Sequence, residues 1–366
     1  MKILYIENIR LPTEKAHGIQ IMKMCEAFST AGHDVTLLVP KRKNIYNTDP
    51  FDFYKVKKNF IIKRLWVPNV LFLGPLGFWI QSLFFAEMSA WYFWKFKPDI
   101  LYSREERILI NFIFIAKNIF WESHRGTWNI ASRIVANFCK KIIVISKGLQ
   151  DFYLSKLPAL KSKIIVAPDG VDLNFFNINL SKDECRRKLS LPLDKKIALY
   201  TGHLYEWKGA HILAEASRAI KDDESAVFVG GTSHDLKKFI NIYGNNKNCL
   251  ILGQKPYSDI PFYLKSADAL VLPNSARNDI GSLYTSPLKL FEYMASGVPV
   301  VASRVPAICE ILNDSNSTLI TPDDPNALYQ AIKNVFNDNF EAQNKARKAL
   351  QDVNMYTWNS RAKLIL

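Results

Sequence analysis

The sequence predicts an α/β protein made of two consecutive doubly wound, Rossmann-like domains. Three observations carry that expectation. Short apolar strands alternate with helix-period segments from Lys2 to Ala167, and the alternation begins again at Lys196 after a polar, charged stretch over Asn177–Leu193. In each array a strand leads into a loop with a glycine at a helix start, Gly18 in the first and Gly209 in the second. The 366 residues suffice for two domains of ordinary size, each with its own core. The expected boundaries are 1–170 and 171–350, with 351–366 a C-terminal helix that packs back towards the first domain.

The first array opens with a strand at Lys2–Ile6, a loop over Glu7–His17 and then Gly18. A helical pattern runs from Ile19 to Ala31, Gly32 ends it, and Asp34–Val39 is an apolar second strand. Gly18 lets backbone or ligand approach the helix start closely, although the loop is not a GxGxxG phosphate motif. Further strands are expected at Ile61–Trp66, Asp99–Tyr102, Asn118–Glu122, Ile142–Ile145 and Lys163–Ala167, with a helix over Lys147–Leu157. His124 falls just past the carboxyl end of one of them, where open parallel sheets bind ligands, with Glu122 close by and Gly126 after it. A single histidine there is either structural or catalytic. The turn cluster Pro168-Asp169-Gly170-Val171-Asp172 closes the array.

Inside this array a basic cluster (Lys55, Lys57, Lys58, Lys63, Arg64) precedes an aromatic-rich run from Val70 to Phe96. About 20 apolar residues span a bilayer, so the run raises a transmembrane helix. Gly74, Pro75 and Gly77 interrupt its start, and Gln81 and Glu87 sit in the rest. The strands on either side belong to one sheet, which a single crossing would split, so no span is expected. Core burial is expected for most of these aromatics, and peripheral contact with an anionic membrane for some.

The second array has strands at Lys196–Thr201, Ser225–Val229, Cys249–Leu252 and Asp268–Leu272, and an edge at Thr318–Ile320. The first strand meets the loop Gly202–Gly209 and a helix over Ala210–Ile220. Lys208, at that helix start, is a surface lysine or an anion contact. The stretch Tyr284–Leu312 is the most informative. Ser286 is placed to cap a helix, Pro287 suits its first position, and Gly297 stops it before a strand over Val298–Ala302. Leu288, Phe291, Met294 and Ala295 face the core, while Lys289 and Glu292 share another side. A helix start of this kind suits a phosphate, and the carboxylate suits the paired hydroxyls of a ribose. A plain helix start with a solvated Lys289–Glu292 pair fits the same pattern. The tail from Asn326 reads as helical.

Lys and Arg exceed Asp and Glu for a net charge of +14, which favours anionic partners: nucleotides, acidic lipid or nucleic acid. The five cysteines are scattered and lack any CxxC, so reduced thiols, a cytoplasmic setting and no structural metal are expected. The short apolar run in Met1–Arg10 is broken by Glu7 and Asn8, unlike a secretion signal. Basic residues crowd only at Lys55–Arg64 and Lys182–Lys188, and the second run alternates with acids, so no nucleic acid is expected as a partner.

Five places, in order, resemble the retaining glycosyltransferases of family 4 with the GT-B fold, two Rossmann-like domains facing across a cleft. They are Ala16-His17-Gly18, Trp121-Glu122-Ser123-His124, Ala167 to Asp172, Tyr200-Thr201-Gly202-His203 through Lys208-Gly209, and Ser286 to Glu292 with Gly297-Val298-Pro299-Val300. The resemblance implies a nucleotide-sugar donor and a glycan or lipid-linked acceptor in surface polysaccharide biosynthesis, with no resident cofactor. It places Gly18 near the donor diphosphate, His124 beside the donor sugar, and Lys208 on the leaving diphosphate. It gives Glu292 the ribose hydroxyls, puts the backbone around Ser286, Leu288 and Lys289 on the phosphates, and adds Gly202 and His203 to the donor site. Two positions depart from the family. Its first paired glutamate is Tyr284 here, and the basic residue after the loop glycine is His203. With no Asp-x-Asp cluster beside the motifs, no metal is expected. An epimerase of nucleotide sugars on the same fold is the alternative. Location is expected in the cytoplasm, at the inner face of the cell membrane.

Overall fold

The structure is a computed structural model and describes residues 1–366, the Asn339 side chain excepted. The chain forms two compact units, Met1–Pro168 with Trp358–Leu366, and Asp169–Thr357.

The first unit is built on seven strands: β1 (Lys2–Ile6), β2 (Asp34–Pro40), β3 (Ile61–Leu65), β4 (Ile100–Ser103), β5 (Ile119–Ser123), β6 (Lys141–Val144) and β7 (Ile164–Val166). Their order is β3-β2-β1-β4-β5-β6-β7, and every pairing is parallel. Such sheets are covered on both faces, so their strands read as continuous apolar runs. Ile3, Leu4, Tyr5 and Ile6 of β1 are all fully buried. The strand order reverses between β1 and β4, which puts the loops after β1, β4 and β5 at the carboxyl edge where such sheets bind ligands.

The helix Pro75–Phe96 is continuous over its 22 residues. Among the described residues no helix is long and apolar enough to cross a membrane. The expectation that most aromatics of the Val70–Phe96 run are core is corrected. Phe85 and Phe93 are buried, but Phe72, Phe78, Trp79, Phe84, Trp91 and Trp94 are exposed. The aromatics are spread all around the helix, whereas only one side of it meets the unit, and that side also takes Gly77, Gln81, Ala86 and Ser89.

The second unit carries β8 (Lys196–Thr201), β9 (Glu224–Val229), β10 (Cys249–Gly253), β11 (Ala269–Leu272), β12 (Val300–Ser303) and β13 (Thr318–Ile320). The sheet is again parallel throughout, in the order β10-β9-β8-β11-β12-β13, with β13 at an edge and the reversal between β8 and β11. The helix Leu288–Ser296 connects β11 to β12, and Gly297 ends it in the left-handed conformation at φ 68°. Its Leu290, Phe291, Tyr293, Met294 and Ala295 lie in the core between sheet and helices. The tail is helical in three pieces, Pro325–Asn337, Asn339–Asp352 and Trp358–Ile365, and the last packs on the Ala16–Thr30 helix of the first unit. All five cysteines are free thiols.

Candidate functional site

In the second unit the predicted residues converge where the strand order reverses. Gly202 follows β8 with φ 120°, a conformation that costs other residues strain. A Cβ there would stand 4.0 Å from Lys289 Nζ, so the loop lies over the lysine. Lys289 leaves the first turn of its helix with 7% of its surface exposed, and its Nζ sits 3.7 Å from the centre of the Tyr200 ring. That ammonium has no hydrogen-bond partner among the described residues. Burial, and then repulsion from Lys208, push it well below the usual lysine range, with Glu292 opposing.

Lys208 is half-buried between aromatic faces, 5.1 Å from the Trp207 ring and 5.7 Å from Tyr205. Burial lowers its ammonium to about 8, against the pull of Asp235 and Glu292. One turn beyond Lys289, Glu292 is 8% exposed and accepts a hydrogen bond from the Tyr257 hydroxyl at 3.3 Å. Burial raises its carboxyl to about 7, opposed by Tyr257, Lys289 and Lys208. The solvated-pair alternative fails, because both side chains are buried. The helix packs on all sides, so even its polar residues are enclosed.

One expectation about the helix start is corrected. Ser286 does not cap it: the helix opens at Leu288 after Pro287, with no side-chain cap. The Ser286 hydroxyl instead accepts from the Asp169 N–H at 2.8 Å. The first-turn amides of Leu288 and Lys289 consequently have no intrahelical partner and no cap. His203 stacks its ring on Tyr205 at 5.1 Å, and its carbonyl accepts from the Tyr200 hydroxyl at 2.6 Å.

In the first unit His124 follows β5 directly, and its Nε2 lies 2.5 Å from Glu122 Oε1. Glu122 is fully buried and collects Gln20 Nε2 at 2.7 Å, Arg361 Nη2 at 2.8 Å and the Tyr102 hydroxyl. Burial alone would raise this carboxyl; Arg361, His124 and Arg104 outweigh it and hold Glu122 well below the usual range. Burial and Arg104 lower His124 to about 4 despite the Glu122 bond. The imidazole is therefore neutral at pH 7, donates from Nε2 to the carboxylate, and keeps Nδ1 as an acceptor. Gly18 has a packing reason of its own: a Cβ there would lie 2.2 Å from the Tyr54 hydroxyl.

Sequence reasoning missed Tyr200 and Tyr257 in the second unit, and the Gln20, Arg104 and Arg361 partners in the first. Arg104 and Tyr257 carried a usable signal, since each follows the carboxyl end of a strand, β4 and β10. Tyr200 lies within an apolar strand and Arg361 in the tail, where nothing in the local pattern marks them.

Residues 181–352 match the model of the family described as glycosyl transferases group 1. The putative teichuronic acid biosynthesis glycosyltransferase TuaC of Bacillus subtilis is 30% identical over 216 residues, 59% of this chain and 51% of that protein. An Escherichia coli UDP-Gal:alpha-D-GlcNAc-diphosphoundecaprenol alpha-1,3-galactosyltransferase is 28% identical over 229 residues, 59% of this chain and 57% of that one. The chain thus spans about half the length of the curated relatives it matches. Among solved structures, HepE from Anabaena in complex with UDP-glucose superimposes with TM-score 0.77 at 17% identity, over 100% of this chain and 98% of that one. Sucrose-phosphate synthase from Thermosynechococcus elongatus gives 0.79 at 18% identity, over 99% and 96%. At these identities the likeness establishes the fold alone: two parallel-sheet α/β domains with the GT-B architecture.

Proposed function

We propose that this chain is a glycosyltransferase. It takes a nucleoside-diphosphate sugar and passes the sugar, with its anomeric configuration retained, to a hydroxyl of a glycan or lipid-linked glycan. The observation that carries the proposal is the Lys289 ammonium, buried without a hydrogen-bond partner beside a second lysine and two uncapped helix amides. A buried ammonium whose N–H donors meet no acceptor is costly even against an aromatic face, and a bound anion removes that cost. The matched family, the UDP-glucose complex of HepE and the relatives named for polysaccharide assembly make a diphosphate the fitting anion.

As the glycosidic bond breaks, negative charge gathers on the departing diphosphate. Lys289, Lys208 and the Leu288 and Lys289 amides stabilise that charge in a water-poor setting. Two lysines supply the positive charge for which other transferases use a metal ion, so no metal is required. Glu292 accepts from the ribose diol, whose two O–H donors favour its ionised form. His124, neutral and oriented by Glu122, offers Nδ1 as an acceptor for a sugar hydroxyl. The free thiols fit a reducing, cytoplasmic setting.

The test is incubation with a panel of UDP, GDP and ADP sugars, with and without oligosaccharide or lipid-linked acceptors, and product analysis by mass spectrometry and NMR. A glycosylated acceptor of retained configuration, formed in EDTA, supports the proposal. Isomerisation of the nucleotide sugar without acceptor would indicate an epimerase, and strict dependence on Mg²⁺ or Mn²⁺ would overturn metal independence.

A further inference from the structure

The face of the Pro75–Phe96 helix turned away from the first unit is apolar except for one acid, Glu87. Leu76, Trp79, Leu83, Trp91 and Trp94 recur at three- or four-residue spacing about the single acid Glu87, and so share one side. At 1.5 Å per residue the stripe from Leu76 to Trp94 is about 27 Å long. Its tryptophans are 58% (Trp79), 61% (Trp91) and 63% (Trp94) exposed. A monomeric soluble protein rarely leaves so large a contiguous apolar surface uncovered.

Basic groups border the stripe. Lys95 places its Nζ 5.8 Å from the Trp91 ring. Trp66, 62% exposed at the end of β3, meets the exposed Phe84 of the helix edge to face at 6.5 Å. The stripe is thereby continuous with the outer edge of the sheet, where Lys63 and Arg64 of β3 stand exposed. Tryptophans on one helix side with lysine and arginine along the border are the composition of a surface that lies in a lipid headgroup layer. A dry protein interface would strip water from Glu87, whereas at headgroup depth that carboxylate stays hydrated.

We infer that this helix face and the adjoining β3 edge dock the first unit on an anionic phospholipid surface, lying in the interface without crossing it. The inference is independent of the transferase chemistry, since none of these residues belongs to the candidate site.

The test is flotation of the full chain with phosphatidylcholine vesicles, with and without phosphatidylglycerol. Co-flotation with the anionic vesicles is expected, weakened by salt because the basic border is screened. W79S/W91S/W94S should lose at least tenfold in partitioning and K63E/R64E several-fold, while E87Q should bind more tightly. Unchanged melting and nucleotide binding would show that these variants remain folded. Absence of co-flotation at low salt overturns the inference, as does undiminished binding by the tryptophan variant. A concentration-dependent dimer abolished by that variant, with no vesicle binding, would assign the face to a second copy and equally overturn it.

Discussion

Replacing Lys289 by methionine should move stability and ligand binding in opposite directions. Methionine matches the lysine stem in length and removes only the ammonium, which is buried and without a hydrogen-bond partner. Relief of an unsatisfied buried polar group is worth about 1–3 kcal/mol. For a unit of this size that corresponds to a rise of roughly 2–12 °C in melting temperature. The sign follows from linkage. Burial lowers the folded-state pKa of Lys289, so the unfolded chain holds more protons, and the penalty is full at low pH and shrinks as pH rises towards the ordinary 10.5. The stability gap between variant and wild type should close over that rise. Affinity for a nucleoside diphosphate should fall, because a charge-assisted contact worth about 1.5–3 kcal/mol is lost, a change of roughly ten- to a hundredfold. Scanning calorimetry without ligand and titration calorimetry with UDP read the two effects. A Lys289→Met protein that melts lower than wild type and binds UDP equally well would show that the ammonium neither costs stability nor meets the diphosphate.

Other outcomes follow from the same geometry. Glu292→Ala should weaken nucleotide binding by titration calorimetry, whereas His124→Ala should leave it intact and lower turnover; equal affinity in Glu292→Ala and wild type would remove the ribose assignment. Nucleotide affinity should peak between the Glu292 value of about 7 and the Lys208 value of about 8. Above that window the ammonium deprotonates, binding takes up a proton, and affinity falls by up to about tenfold per pH unit; Glu292→Ala should abolish the fall on the acid side. Arg361→Ala leaves Glu122 as a buried carboxylate short of its main cation and should cost about 3–5 kcal/mol in urea unfolding. Glu122 is held low, so its stabilisation is present above the ordinary 4.5 and lost as pH falls; the variant should lose it at a higher pH than wild type.

Both parallel sheets were legible because strands covered on two faces leave continuous apolar runs. Lys2–Ile6, Lys196–Thr201 and Thr318–Ile320 have the expected bounds, and the others shift by a residue or two. In the Leu288–Ser296 helix the spacing of Phe291, Met294 and Ala295 gave the core side, whereas Leu288, expected on that side too, is only half-buried at the helix start. It could not show that Lys289 and Glu292 are also enclosed, because periodicity reports one buried face and this helix is covered all round. Ser286 misled because Ser-Pro before an apolar run looks like a cap, while its partner, Asp169, lies 117 residues away. The carboxylate that orients His124 draws on Gln20 and Arg361, 102 and 239 residues distant, and no local pattern carries that. The exposure of the aromatic helix is not legible in the sequence, because composition reports how apolar a segment is, and not how much of it meets a neighbour.

The central claim is that an anion, the diphosphate of a nucleotide sugar, completes the charge of Lys289. A crystal structure of the chain with UDP bound tests it most directly. Phosphate oxygens should lie within hydrogen-bond distance of Lys289 Nζ and of the Leu288 and Lys289 amides, with the ribose hydroxyls on Glu292. UDP bound elsewhere, with the Lys289 ammonium still unpartnered, would contradict it.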